Sequence, residues 1–253
     1  MARATSVQGI MNTVLQEQEY IQMFSAYSTS EPDHKKDPLI STEYAVLYKD
    51  FEESIDPNAS AHLWLYPALN RTTSELNNHL HLQNALNKIS KLPPSPVLQS
   101  ANIQLKKSIT GKPYLGSPYE KIAVSFSYTQ QFGLLGLSTR TAIGIDIVEI
   151  TESFKISEVV NSQFHFSEQL FFKTLDSTLA KNWFFNAWTL KESALKCTGE
   201  GIASGGLSKI IVRLMNNSYF INNGFEKEKA IAGSLALKRN DIELVIGVSV
   251  YGF

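Results

Sequence analysis

The stretch Ala142–Ile150, AIGIDIVEI, constrains this chain more than any other. Side chains alternate along a strand, so Ile143, Ile145 and Ile147 share one face, and Gly144, Asp146 and Val148 the other. The isoleucine face reads as core. On the opposite face stands a carboxylate, whose burial costs on the order of several kcal/mol unless it is paired or metal-bound. Gly144 beside it leaves space, and glycine in a strand marks close approach by a ligand or another backbone. The strand alone leaves two readings open: an Asp146 that caps a turn or pairs with a lysine, and one that faces a ligand.

The segments around this strand predict an α+β order. STLAKNWFFNAWTLKESALKCTG carries the longest helical pattern, with Trp183, Ala187, Leu190 and Ala194 in one row and Phe184, Trp188 and Leu195 beside it. Gly199 is its expected stop. KIIVRL, SYFIN, AIAGSLALK and IELVIGVSVY read as strands after it. Upstream, AHLWLYPAL predicts a strand from near His62, with Pro67 marking an edge or an end. TSELNNHLHLQNALNKI predicts a helix through Leu76, Leu80, Leu82, Leu86 and Ile89, and KLPPSP stops it. NIQLKKS, KIAVSFS and FGLLGLS read as short strands. NTVLQEQEYIQMFSAY is expected to be a helix with Val14, Ile21 and Phe24 on one face, followed by a loop, STSEPDHKKDPLIS. Strands, a helix and more strands in each half argue against a regular βαβ repeat. The expected division is an N-terminal extension of unassigned role over 1–60, a first α+β subdomain over 61–140 and a second over 141–253.

Composition narrows the function classes. A net charge of −1 gives no global field that would attract nucleic acid or an anionic membrane. No apolar run approaches the roughly 18 residues of a membrane helix, and the N-terminus has no secretory apolar core. The single cysteine, Cys197, precludes an internal disulfide, which fits a reducing, cytoplasmic setting.

A second motif is WTLKESALK, Trp188–Lys196. Trp188, Glu192 and Lys196 fall at i, i+4 and i+8 on one helical ridge, with Lys191 adjacent to Glu192. An exposed Glu–Lys pair at this spacing is common, worth about 0.3–0.5 kcal/mol. A carboxylate flanked by lysines also suits a metal-bridged anion, because Mg²⁺ takes one or two carboxylates plus phosphate oxygens. GKPYL from Gly111 and SFSYT from Ser125 complete the set. Alone, the first is a turn and the second an exposed hydroxyl face.

In this order, GKPYL, SFSYT, IGIDIVEI and WTLKESALKCTGEGI resemble the 4′-phosphopantetheinyl transferase superfamily, over about residues 62–253. The length and the GKP element resemble its larger, pseudo-dimeric branch. The resemblance implies an α+β fold of two similar subdomains related by pseudo-twofold symmetry. It implies transfer of the phosphopantetheine arm of coenzyme A to a serine of an apo acyl or peptidyl carrier protein, leaving adenosine 3′,5′-bisphosphate. By motif position, Asp146 and Glu192 would hold Mg²⁺, and Glu192 would be the general base. Lys191 and Lys196 would bind the phosphates, and Lys112, Ser127 and Tyr128 stand where the family binds the nucleotide end. The carrier would be one of fatty-acid, polyketide or nonribosomal-peptide synthesis, and the chain would be a monomer.

This sequence departs from the family pattern at three places. Val148 stands where many larger-branch members have a second acid, and Tyr128 stands where the family has histidine. The interval before GKP carries only Arg71, Lys88, Lys91, Lys106 and Lys107, where the family has several arginines. Val148 leaves two protein carboxylates, as in the family's small branch, whereas loss of the histidine and of the arginine-bearing stretch favours an alternative, a weak relative that binds carrier protein or coenzyme A without efficient transfer. The retained Asp146, Glu192, Lys191 and Lys196 favour the enzyme.

Overall fold

A computed structural model of the chain describes residues 19–22, 44–48, 56–68, 74–89, 103–151, 154–199, 206–215, 218–223, 230–239 and 241–252. In chain order the strands and helices are β1 (Glu19–Gln22), β2 (Tyr44–Tyr48), β3 (Ala61–Pro67), α1 (Ser74–Ile89), β4 (Leu105–Lys107), β5 (Pro113–Leu115), β6 (Ala123–Tyr128), β7 (Phe132–Ser138) and β8 (Thr141–Glu149). There follow α2 (Ile156–Gln163), α3 (Phe166–Phe172), α4 (Ser177–Thr198), α5 (Gly206–Lys209), β9 (Ile210–Met215), β10 (Ser218–Asn223), β11 (Ala230–Arg239) and β12 (Ile242–Gly252). The mixed α+β content agrees with the sequence expectation. Among the described residues no helix is long and apolar enough to cross a membrane.

The layers follow from which faces are apolar. One sheet runs β1-β2-β3-β7-β6 and another runs β11-β12-β8. Ile143, Ile145 and Ile147 pack with Leu63, Leu65 and Leu134 of the first sheet and Ile246 and Val248 of β12, so the isoleucine face of β8 lies between the sheets. Burying each such side chain contributes about 1.5–3 kcal/mol. The outer face of the first sheet packs Trp64, Tyr66 and Leu135 against Leu82, Ala85 and Leu86 of α1. The outer face of the second packs against α4, through Trp183, Phe184, Ala187 and Leu190.

Two elements correct the sequence reading. Glu19–Gln22, expected within a helix, is a strand paired antiparallel with β2. Its Ile21 is buried between the sheets, and that tertiary contact outweighs local helical spacing. With β2, which runs parallel to β3, it adds two strands to the first sheet. The rest of that expected helix and the loop after it lie outside the described residues, as does the stop at KLPPSP. Pro67 closes β3 as a strand end; β3 itself is interior to its sheet, between β2 and β7.

The sheets meet at their edges through side chains. β8 is the outer strand of its sheet, and its Ile145 and Ile147 amides donate to the hydroxyls of Ser125 and Ser127 on β6, both at 3.2 Å. These serines replace a backbone ladder and satisfy amides that would otherwise be buried unpaired.

Helix α4 lies unusually close to the second sheet. A Cβ built on Gly144 would meet the Ser193 carbonyl oxygen at 2.0 Å and the Cys197 nitrogen at 2.3 Å. One built on Gly247, the cross-strand partner of Asp146, would meet Thr189 backbone at 2.5 Å. The space that Gly144 leaves is thus filled by helix backbone rather than by a ligand. Asp176 caps the helix start, accepting from the Thr178 and Leu179 amides at 2.9 Å, and Gly199 ends it in the left-handed region at φ 79°. Replacing Gly144 by alanine therefore forces α4 off β8. We expect Gly144→Ala to lower unfolding free energy by about 1–3 kcal/mol, the cost of overpacking, measured by urea denaturation; an unchanged midpoint would contradict the contact.

Candidate active site

The glycine-mediated contact places α4 so that Glu192 and Lys196 stand beside Asp146. Lys196 Nζ donates to Asp146 Oδ1 at 2.8 Å and to Ser127 Oγ at 3.0 Å. Ser127 in turn donates to Asp146 Oδ1 at 2.9 Å. Lys196 therefore pairs with Asp146 across the strand–helix contact, rather than forming a surface pair with Glu192. This is the lysine-paired reading of Asp146, but at a site that also opens on a cleft.

Glu192 is buried, and its Oε1 has no hydrogen-bond partner. Burial, and then the nearby charge of Asp146, push its carboxyl up to about 7, against the downward pull of Lys196. Burial also raises Asp146 above the ordinary carboxylate range, although Lys196 and Ser127 oppose the rise. Two carboxylates raised in this way and an orphaned buried oxygen form an anionic site short of cations. Such a donor set fits a hard divalent ion. Among the described residues no group of three or more His, Cys, Asp or Glu side chains gathers around a point. A metal here would take Asp146 and Glu192 and leave its other positions to water or ligand oxygens.

Glu192 and Lys196 form part of the wall of a cleft of about 1040 Å³. The opposite wall comes from α1 and the β4–β5 hairpin, and β6 contributes Phe126 and Tyr128. Lys112 lies in this cleft, where its ammonium donates to the Cys197 carbonyl at the end of α4. A cation there also complements the negative end of the helix. Tyr128 is 44% exposed, stacks on Phe126 and hydrogen-bonds to Tyr66.

The structure separates two expected residues from the cleft. Ser127 was expected to touch a nucleotide, but its hydroxyl is buried and engaged by Ile147, Lys196 and Asp146, so it braces the carboxylate instead. Lys191 was expected to bind phosphate. It is fully buried on another side of α4 and bonds Glu168 Oε2 at 2.7 Å. Successive helix residues diverge by about 100°, so neighbours in KES cannot share one face. Lys107, one of the few bases before GKP, lines the cleft, as do His79 and Gln83, which the sequence did not single out. His79 and Gln83 sit at i and i+4 on α1, a spacing that marks one helix face but not which cleft it borders.

Residues 142–243 match the family model of the 4′-phosphopantetheinyl transferase superfamily. The chain is similar to a Synechocystis sp. protein provisionally named a 4′-phosphopantetheinyl transferase, at 35% identity over 40% of this chain and 41% of that protein. It is 30% identical to the 4′-phosphopantetheinyl transferase HetI of Nostoc sp., over 37% of this chain and 40% of the relative. It is 29% identical to the 4′-phosphopantetheinyl transferase gsp of Aneurinibacillus migulanus, over 42% of each. The chain spans less than half the length of these curated relatives. The resemblance read from the motifs is thus borne out, over a stretch that holds Asp146, Glu192 and Lys196 and excludes Lys112 and Tyr128.

The raised Glu192 carboxyl makes stability depend on pH. Its folded pKa of about 7 exceeds the ordinary value of 4.5, so its contribution is fully present below the lower value and is lost as pH rises through about 7. His62, buried and lowered to about 4, works in the opposite direction. The difference between two chains isolates Glu192. Glu192→Gln should flatten the fall in stability between these two pH values, read from denaturation at several pH values. Parallel wild-type and variant curves would show that Glu192 titrates normally.

Proposed function

We propose that this 4′-phosphopantetheinyl transferase-like chain transfers the phosphopantetheine arm of coenzyme A to a serine of an apo carrier protein. The observation that carries the reading is that Glu192 and Lys196 line a cleft that extends to Lys112 and Tyr128, with the buried Asp146 held behind them on Lys196. Asp146 and Glu192 would hold Mg²⁺. When bound, the ion would neutralise charge on the diphosphate and on its leaving group.

The protein's own residues supply the rest. Lys196, whose side chain is about one-third exposed (34%) and lines the cleft, would leave Asp146 for a diphosphate oxygen. Glu192, whose Oε1 has no protein partner, would take the proton of the incoming serine hydroxyl, directly or through water. The serine oxygen bonds to the phosphorus that bears the pantetheine arm, and the bond from that phosphorus to adenosine 3′,5′-bisphosphate breaks. Positioning does most of this work, since phosphoryl-type transfer needs little covalent help. Lys112, Lys107 and Tyr128 would meet the nucleotide end. We read α1 on one sheet and α4 on the other as the halves of a pseudo-twofold arrangement in a monomer.

Mass spectrometry tests the reading. Apo carrier protein incubated with the chain, coenzyme A and Mg²⁺ should gain one phosphopantetheine. Asp146→Ala and Glu192→Ala should each abolish the gain while retaining cooperative unfolding. Near-wild-type turnover by Asp146→Ala at limiting Mg²⁺ would sink the assignment. Carriers of fatty-acid, polyketide and nonribosomal-peptide synthesis should all be tried.

Tyr128 favours a second reading, a binder with weak transfer, because a neutral hydroxyl faces the nucleotide end. A neutral donor is roughly half as strong as a charge-assisted one. Discrimination between coenzyme A and its 3′-dephospho form should therefore be weak, and Tyr128→His should sharpen it in kcat/KM. Equal discrimination before and after the substitution would remove Tyr128 from this role.

A further inference from the structure

We infer that Lys191 and Glu168 act as a positioning pair that sets the roll of α4 and so aims Glu192 into the cleft. The inference rests on the reading of Glu192 given above.

Lys191 has no part in the proposed chemistry, yet it is among the largest fully buried side chains of the protein. Its ammonium donates to Glu168 Oε2 at 2.7 Å, to the Leu207 carbonyl at 2.9 Å and to the Ile210 carbonyl. An ammonium has three donors, and all are used. It also stands 4.6 Å from the centroid of the Phe164 ring. Glu168 is equally committed. Its Oε2 accepts from the His165 amide at 3.0 Å, closing a capping box at the start of α3, and its Oε1 accepts from the Val212 amide at 2.8 Å. The pair therefore ties α4 at one residue to α3, α5 and β9.

Glu192 is the next residue in the chain. Neighbours on a helix differ by about 100° in azimuth, so anchoring Lys191 dictates where Glu192 points. Glu192 Oε1 makes no hydrogen bond that could orient it from its own end. Packing alone would not call for an ion pair here, because replacing buried pairs by apolar residues is often neutral or stabilising. Direction is what the pair adds: three fixed acceptors define the rotation of α4 in a way that interchangeable apolar contacts do not.

The test uses the full chain carrying Glu168→Gln and Lys191→Met. The amide side chain introduced by the first substitution keeps one acceptor oxygen, which serves either the Val212 or the His165 amide but not both. The thioether introduced by the second fills the buried volume. The readouts are Mn²⁺ affinity by calorimetry, kcat and KM for coenzyme A, and a crystal structure. We expect cooperative unfolding, with Mn²⁺ affinity and kcat each falling about 10–100-fold, as for lost outer-shell partners. The KM for coenzyme A should hold, since the nucleotide end lies elsewhere in the cleft. In the crystal structure the Glu192 carboxyl should be displaced from Asp146. A folded variant with wild-type Mn²⁺ affinity, wild-type kcat and an unmoved Glu192 overturns the inference. If the double variant does not unfold cooperatively, Glu168→Gln alone serves, with smaller losses expected in the same readouts and the same unchanged values overturning. If the wild-type chain neither binds Mn²⁺ nor transfers, the transferase reading fails. The crystal structures then still decide the positioning claim: a displaced Glu192 supports it and a superposed one refutes it.

Discussion

The contact of α4 backbone on β8 is the constraint from which the rest of the site follows. A helix normally rests on a sheet through side chains, which keep the two backbones apart. Here Gly144 and Gly247 remove those side chains, and Ser193, Cys197 and Thr189 backbone atoms occupy the space. The approach brings the short Asp146 side chain within reach of Lys196, 50 residues later in the chain. With a larger residue at either glycine the lysine and the two carboxylates would separate.

Closeness has an electrostatic consequence. Asp146 and Glu192 are both buried, and each carboxyl is pushed upward. Two such groups cannot both ionise at little cost without a compensating cation. Lys196 supplies one positive charge, held at Asp146 with the help of Ser127. That leaves Glu192 Oε1 without a partner. In the proposed transfer a metal and a diphosphate would complete this balance.

The site was legible where its residues sit on one strand or one helical ridge. Asp146 stood out because a carboxylate sits in an isoleucine-rich strand with a glycine on its own face, and Glu192 and Lys196 because they share a ridge. Lys191 was misread because adjacency in sequence is not adjacency on a helix, and its partner Glu168 lies 23 residues upstream, on a different helix. Ser127 was placed on the right strand, but whether its hydroxyl is buried depends on the packing of β6 against β8. The strands at Glu19–Gln22 and Tyr44–Tyr48 were missed because each is short and is a strand only through its pairing. The cleft wall on α1 was missed for a similar reason. His79 and Gln83 are ordinary helix residues until the β4–β5 hairpin joins them in lining the cleft.

In the proposed function the glycine-seated helix would build a diphosphate site against β8. A crystal structure of the chain with coenzyme A and Mg²⁺ tests it most directly. The account predicts the metal on Asp146 and Glu192, the diphosphate against Lys196 after that lysine has left Asp146, and the nucleotide end toward Lys112 and Tyr128. Coenzyme A bound elsewhere, with Lys196 still on Asp146 and no metal at the two carboxylates, would contradict it.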